Sequence, residues 1–146
     1  MTDTSIRDQL VRWYGDGSSG AVPRPEQWDN VLNRNPDDSF TLINLFKLRE
    51  VASYNGEENE ISGQEAFDRY AAVSMPTMER VGGKFLLVAP FEASLIGNDD
   101  NWDLIAIGTY PSLQAFLDLY QDANYRAAFE HRTAACSAQK VLIAGT

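Results

Sequence analysis

The spacing of apolar residues between Phe40 and Ala144 changes in an order that predicts strand, helix, two strands, helix and strand. The first strand, Phe40–Leu48, is largely apolar on both faces, as expected when something packs on each side. Because side chains alternate along a strand, Asn44 is the one polar residue on a face shared with Phe40, Leu42, Phe46 and Leu48. The other face carries Thr41, Ile43, Leu45, Lys47 and Arg49.

A capped helix is predicted after an acidic polar loop at Asn55–Glu60. Ser62 and Glu65 have the spacing of a capping box, in which each residue satisfies a free amide of the other. Pro76 falls inside this helix and is expected to kink it, and Gly82–Gly83 is expected to end it. The inward stripe is predicted to be Phe67, Tyr70, Ala71, Ser74, Met78 and Val81.

The second half of the chain predicts two further strands, a helical region and a last strand. Pro90 lies within an apolar run and suggests a bulge or an edge there. A polar turn at Gly97–Asn101 follows, and Ser112 and Asp122 are expected to cap two consecutive helical segments. The strands are predicted at Lys84–Ile96, Trp102–Tyr110 and Gln139–Ala144.

The first part of the chain, residues 1–35, predicts a helical N-terminal extension that precedes a domain at residues 36–146. Apolar spacing in Ile6–Tyr14 suits one amphipathic helix, and Pro25 suits the first turn of a second, short helix. Trp13 and Trp28 indicate that the extension packs onto a surface, either of its own subunit or of a partner.

One face of the predicted sheet lacks a covering layer. Four strands with two helices bury a single face, so the other face would be an apolar patch that bears either Phe40, Leu42 and Phe46 or Ile43 and Leu45. Face-to-face association of two such sheets would bury it. The sequence therefore predicts a homodimer.

Several stretches together resemble a known family. They are Phe40–Arg49, Ala52–Tyr54, Ser62–Tyr70, Pro76, Gly82–Lys84, Trp102–Asp103, Tyr110–Ser112, Asp122–Tyr125 and Arg132. This pattern resembles the domain of unknown function 1330 family, part of the dimeric α/β-barrel, ferredoxin-like superfamily. The helix at Pro25–Trp28 is similar to one in a branch of that family, so the resemblance covers roughly residues 25–145.

The resemblance implies an α+β fold, a ferredoxin-like β-α-β-β-α-β unit with an antiparallel sheet that pairs into a dimeric α/β barrel. It implies no reaction, because the family has no settled activity. Relatives in the superfamily include monooxygenases, muconolactone isomerases and haem-binding enzymes, and such a range of chemistry on one fold does not transfer to a new member.

Composition narrows the classes of partner. The 146-residue chain has a net charge of −9, which repels nucleic acid and anionic membrane surfaces, so neither is expected as a partner. Its N-terminus lacks the pattern of a secretory signal, and no apolar run approaches the ~20 residues that span a bilayer. The single cysteine, Cys136, suits a reducing compartment, so a cytoplasmic location is expected.

Four polar residues are candidates for a ligand site. Asn44 on its apolar strand face needs a hydrogen-bonding partner, which is either structural or a ligand, with equal weight. Tyr54 and Tyr70 bracket the capped helix and could direct hydroxyl groups into one cavity, although ordinary packing is favoured for each. An inward Arg132 needs an anion, and we favour a structural ion pair with Asp103 over a ligand carboxylate.

His131 is the only histidine and therefore the natural candidate for a general base. It lies about a hundred degrees around the helix from Arg132, so it is expected at the flank if Arg132 faces inward. Cys136 has no histidine at a motif spacing and is interpreted as a small buried residue rather than a nucleophile.

Familiar metal and nucleotide motifs do not occur in the sequence. Asp99–Asp103 begins like a calcium loop, but Leu104 stands where the loop requires glycine. One histidine and one cysteine cannot form a zinc finger, and the glycine patterns of nucleotide-binding loops and hydrolase elbows are missing. We expect no metal and no cofactor, although a carboxylate metal site stays open.

Three functions remain possible. We favour a dimeric protein that binds a small apolar or carboxylate ligand between sheet and helices, with Asn44, Tyr54, Tyr70 and Arg132 as candidate contacts. The second is a cofactor-independent enzyme acting on a small aromatic or carbonyl compound by proton transfer or oxygenation, with His131 as the base. The third is an assembly module whose tryptophans, Trp13 and Trp28, dock another protein.

Overall fold

The framework of the protein is a four-stranded sheet with helices packed on one face. A computed structural model describes residues 4–145. The helices are α1 (Thr4–Tyr14), α2 (Pro25–Leu32), α3 (Gly63–Arg80), α4 (Leu113–Gln121) and α5 (Ala123–Ala135). The strands are β1 (Phe40–Leu48), β2 (Val51–Tyr54), β3 (Glu57–Ser62), β4 (Lys84–Pro90), β5 (Leu104–Tyr110) and β6 (Cys136–Ala144).

The sheet has the strand order β4-β5-β1-β6, and every neighbouring pair is antiparallel. The connection from β1 to β4 contains the short strands β2 and β3 followed by the long helix α3. The connection from β5 to β6 contains α4 and α5. This arrangement is an α+β, ferredoxin-like fold with N-terminal helices, and it confirms the predicted β-α-β-β-α-β order.

A second, two-stranded sheet forms where a loop was predicted at Asn55–Glu60. Strands β2 and β3 pair across a tight turn, with Tyr54 opposite Glu57. The turn residues Asn55 and Gly56 have φ angles of 53° and 81°, which is the left-handed pair that an Asn-Gly hairpin turn requires. Acidic residues in β3 hide the apolar alternation of a strand, so only the Asn-Gly pair pointed to the hairpin.

Three predicted strand boundaries are also wrong. The strand predicted at Lys84–Ile96 ends at Pro90, on the edge strand β4, and its register shift lies earlier, between Phe85 and Leu87. Leu95 and Ile96 beyond it are 96% and 91% exposed. The next strand, β5, begins at Leu104 rather than Trp102, whereas β6 begins at Cys136 rather than Gln139.

The hydrophobic core lies between the helices and what we call the inner face of the sheet. Phe40, Leu42 and Phe46 are buried on this face, and the Phe46 ring packs on Phe67 of α3 with centroids 4.8 Å apart. The hydroxyl of Ser62 caps α3 by accepting a hydrogen bond from the Glu65 N–H at 3.0 Å. α3 continues past Pro76 and ends at Arg80, just before the glycine pair.

The N-terminal extension packs onto its own subunit. Trp28 is only 1% exposed, and its ring meets those of Tyr14, Phe116 and Tyr120 at centroid distances of 5.8, 6.4 and 5.6 Å. Trp13, by contrast, is 37% exposed, with the Arg126 guanidinium 4.0 Å from its ring. α2 is therefore part of the main core, and one of the two tryptophans is not available to a partner.

The outer face of the sheet, opposite the helices, carries a row of aliphatic side chains across all four strands. The strand registers place Leu87 beside Ile107, Ile107 beside Ile43, and Ile43 beside Leu142. Leu87 and Leu142 are exposed, and the two central residues are partly exposed. Of the two faces that the sequence left open, the one that lacks a covering layer is therefore the face of Ile43 and Leu45.

We expect Trp28→Ala to destabilise the protein by about 3–5 kcal/mol, because it removes a large side chain from a packed aromatic cluster. Trp13→Ala is the matched control and should cost about 1 kcal/mol or less, since it removes one exposed cation–π contact. Chemical denaturation with circular dichroism measures both. Equal, small effects would mean that α2 is not integrated into the core.

Candidate functional site

Arg132 lies in the last turn of α5 and is only 5% exposed. The helix starts at Asp122, whose Oδ1 accepts a hydrogen bond from the Tyr125 N–H at 2.8 Å; this bond lowers the pKa of the Asp122 carboxyl. Ten residues later the chain has placed Arg132 under the inner face of the sheet. Its Nε donates to Gln139 Oε1 at 2.8 Å, and its Nη1 donates to the Tyr70 hydroxyl at 3.2 Å.

Aromatic rings surround the guanidinium group. Its carbon lies 4.8 Å from the centre of the Phe46 ring, 5.1 Å from that of Phe129 and 5.6 Å from that of Tyr70. Ring faces attract a cation, and they supply part of the stabilisation that water would give. Burial lowers the pKa of Arg132, but the neighbouring tyrosines together raise it by a larger amount. The net pKa therefore lies above the ordinary value, and the group keeps its charge.

The favoured ion pair between Arg132 and Asp103 is not formed. Asp103 Oδ1 lies 3.4 Å from Lys47 Nζ, and its Oδ2 accepts the Leu48 N–H at 2.7 Å. Within residues 4–145, Arg132 makes no ion pair with any carboxylate. A buried positive charge thus stands without a negative partner in the part of the chain that the structure describes.

An inner cavity of about 60 Å³ lies between the inner face of the sheet and helices α3 and α5. Asn44, Tyr70 and Arg132, which the sequence predicts as contacts of one ligand site, all line it. Tyr70 also shares a 2.6 Å hydrogen bond with the Tyr125 hydroxyl, so the phenol is fixed from two sides. Most of the remaining wall is apolar: Leu42, Phe46, Phe67, Met78, Phe85, Val88 and Leu119.

Asn44 is held in place by its own strand neighbour. Its Nδ2 donates to the carbonyl of Ala106, the residue directly opposite in β5, at 2.9 Å. The other end of the amide, Oδ1, accepts no hydrogen bond from residues 4–145. Asn44 therefore combines a structural bond with a free acceptor at the cavity wall.

A second space, the outer groove, meets the inner cavity at Arg132. It has a volume of about 500 Å³ and runs between residues 17–31 of the N-terminal extension and strand β6. Despite its name, it lies on the helical side of the sheet and not on the outer face. Leu42, Tyr120 and Arg132 line both spaces, and Gln139 lines the groove. The sequence did not predict this groove, because it arises from the packing of the extension beside an edge strand, which spacing along the chain does not encode.

Tyr54 and His131 are brought together, but away from these two spaces. The Tyr54 hydroxyl and His131 Nδ1 share a 2.6 Å hydrogen bond, and burial raises the pKa of Tyr54. His131 lies in an open depression between α3 and α5, beside Arg69 and Glu130. Neither Tyr54 nor His131 lines the inner cavity or the outer groove.

Other chemistry has little support around this site. Cys136 is buried, and burial raises the pKa of its thiol to about 11, which leaves it protonated near neutral pH. Among residues 4–145 no group of three or more histidine, cysteine or acidic side chains is arranged to hold a metal ion. In the same part of the chain, no helix is both long and apolar enough to cross a bilayer.

Two crystal structures of one protein are similar to this chain. The RPA0582 protein of Rhodopseudomonas palustris, described as a protein of unknown function, is 33% identical over 86% of this chain and 95% of that chain, with a TM-score of 0.77. The methylated RPA0582 protein gives 34% identity over 86% of this chain and 93% of that chain, with a TM-score of 0.78.

A more distant structure is that of a dimeric protein of unknown function with a ferredoxin-like fold from Bacteroides fragilis. It is 12% identical over 74% of this chain and 96% of that chain, with a TM-score of 0.42. No curated protein matches the chain. The family model described as "Domain of unknown function (DUF1330)" matches residues 53–146, and the chain therefore belongs to that family, as its sequence pattern suggested.

Proposed function

We propose that the protein binds a small organic acid, with the carboxylate on Arg132 and the apolar part against the surrounding side chains. The observation that carries the proposal is the buried guanidinium group without a carboxylate partner in the described chain. Burying a charge is costly unless an opposite charge and hydrogen bonds compensate for it. A ligand carboxylate supplies both.

The hydrogen bonds of Arg132 support this assignment. A guanidinium group has five N–H donors, more than the acceptors that Gln139, Tyr70 and the Tyr120 hydroxyl provide. The guanidinium donors lie in one plane and can meet both oxygens of a carboxylate. An arginine–carboxylate pair of this kind is among the strongest hydrogen-bonded contacts in proteins. Gln139 and Tyr70 fix the guanidinium plane before a ligand arrives.

The walls of the site favour an anion over a cation. The chain carries 21 acidic residues, yet neither the inner cavity nor the outer groove is lined by an aspartate or glutamate among the residues described. The local charge at Arg132 is thus positive in a protein whose net charge is −9. Such a site attracts anions and leaves cationic metabolites unbound.

Binding without turnover accounts for this geometry better than the enzymatic alternative. His131, the candidate base, bonds to Tyr54 and lines neither space. Burial raises the pKa of Tyr110, Tyr120 and Tyr125 at the cavity, which keeps these phenols neutral. Arg132, Asn44 and the tyrosines can hold and orient an acid, but none of them is a ready proton acceptor near neutral pH.

We also infer that the outer face of the sheet joins two copies of the chain. The aliphatic row from Leu87 through Ile107 and Ile43 to Leu142 is apolar across all four strands. An identical face on a second copy provides matching side chains, and a two-fold contact closes without leaving a free edge for further association. An assembly role for Trp28 has no support, since its ring lies in the core of its own chain.

We expect hexanoate to bind the wild-type protein and hexanamide, its uncharged counterpart, to bind much more weakly in isothermal titration calorimetry. Arg132→Gln should weaken hexanoate binding by at least about 2 kcal/mol, roughly 30-fold, because it removes the charge that pairs with the carboxylate. Arg69→Gln, a change of an exposed arginine on α3, is the matched control and should bind normally. Equal binding of acid and amide would contradict the proposal.

The affinity for hexanoate should stay constant between about pH 6.5 and 9. Over this range the ligand is ionised, Arg132 is charged, and burial keeps Tyr110, Tyr120 and Tyr125 protonated by raising each pKa. Affinity should fall below about pH 5 as the ligand carboxylate gains its proton. A midpoint well above the pKa of the ligand would instead show that a group of the protein, rather than the ligand carboxylate, controls binding.

Sedimentation velocity should give twice the 16.3 kDa chain mass for the wild-type protein. Leu87→Glu should shift this to the monomer, because it places two like charges in the proposed interface and desolvates them. Val51→Glu changes an exposed residue of β2, outside the four-stranded sheet, and should remain dimeric. A monomeric wild-type protein, or a dimeric Leu87→Glu, would show that the outer face is not the interface.

A further inference from the structure

We propose that the acid bound at Arg132 extends its apolar body into the outer groove, so that the ligand class is a carboxylate with an elongated chain or side arm. This inference rests on the proposed function and adds where the body lies and what limits its length. The N-terminal extension would then act as a wall of the binding site.

The volumes of the two spaces point in this direction. The inner cavity, at about 60 Å³, has room for only a few water-sized groups. The outer groove, at about 500 Å³, falls within the ~300–1,000 Å³ that small-molecule sites usually occupy. Because Arg132 lines both, a carboxylate can sit at the junction while its body follows the larger space.

The groove also has the surface chemistry that an apolar chain requires. Its walls include Val22 and Pro23 from the loop before α2, and Val141 and Ile143 from β6. Val141 and Ile143 face inward, since they lie opposite Asn44 and Leu42 in the register, yet both are exposed. A ligand chain would remove this apolar surface from water, which favours binding in proportion to its length.

The charges at the groove agree with an acid. Arg24 and Lys140 line it in addition to Arg132, and no acidic residue does so within the described chain. Arg24 is paired with Glu26 at 2.7 Å, so Lys140 and Arg132 supply the positive charge. Gln139 connects the groove to the anchor, because it lines the groove and accepts the Arg132 Nε–H at 2.8 Å. The carboxylate position and the path of the chain are thus set by adjacent residues of β6.

The test uses the full chain and a series of straight-chain acids from butanoate to decanoate. Calorimetry or NMR titration, with the Arg132 Nε–H signal as a local reporter, should show affinity rising about threefold to fourfold per added methylene. The rise should stop where the chain fills the groove. Hexanoate and longer acids should also shift the signals of β6 and of residues 17–31.

Val141→Trp should remove this dependence on length, because an indole at this position fills the groove. Val51→Trp is the matched control on an exposed strand position outside the groove and should keep the full dependence. Ala21→Trp fills the groove from the opposite wall and replaces Val141→Trp if that variant does not fold.

The outcomes separate the two proposals. If no acid of any length binds, the proposed function itself fails. If short acids bind through Arg132 but affinity does not rise with length, or Val141→Trp leaves the rise intact, the body does not lie in the groove and this inference is overturned. A rise of the same size in Arg132→Gln would indicate adsorption to apolar surface unrelated to the carboxylate, and would also overturn it.

Discussion

The charge of Arg132 in the protein interior is the constraint around which the helical side of the molecule is organised. Three aromatic rings and two neutral oxygen acceptors hold this guanidinium in place of the water it has lost. Tyr70 comes from α3, Phe46 from β1 and Gln139 from β6, so the charge touches most layers of the fold. Its position defines both the inner cavity and the near end of the outer groove.

The two faces of the sheet differ in what packs against them. On the inner face, side chains such as Phe40 and Phe46 are buried against helices, and the Asn44 Nδ2 among them donates to the Ala106 carbonyl. On the outer face, the aliphatic row lies on the side of the sheet away from the helices. The proposed ligand site and the proposed dimer interface are thus separated by the thickness of one sheet, so either can change without direct contact with the other.

Much of this arrangement could be predicted from spacing alone, because it is local. The caps Ser62, Ser112 and Asp122 and the apolar alternation of Phe40–Leu48 each depend on residues near in sequence. The convergence of Asn44, Tyr70 and Arg132 followed from which face of a strand or helix each residue occupies. The pairing of Asp103 with Lys47, the Tyr54–His131 bond and the outer groove depend on contacts between distant segments, and no periodicity specifies those.

The segment matched by the family is shorter than the segment that forms the folded core, because β1 lies at the centre of the sheet but outside the match. The family match begins at residue 53, whereas β1 ends at Leu48 and lies between β5 and β6 in the sheet. A fragment limited to the matched segment would keep the β4–β5 pair and leave β6 without a neighbouring strand. It would also lack Phe46, whose ring lies against the Arg132 guanidinium. Recombinant fragments for biophysical work should therefore retain β1, together with the α2 helix whose Trp28 completes the same core.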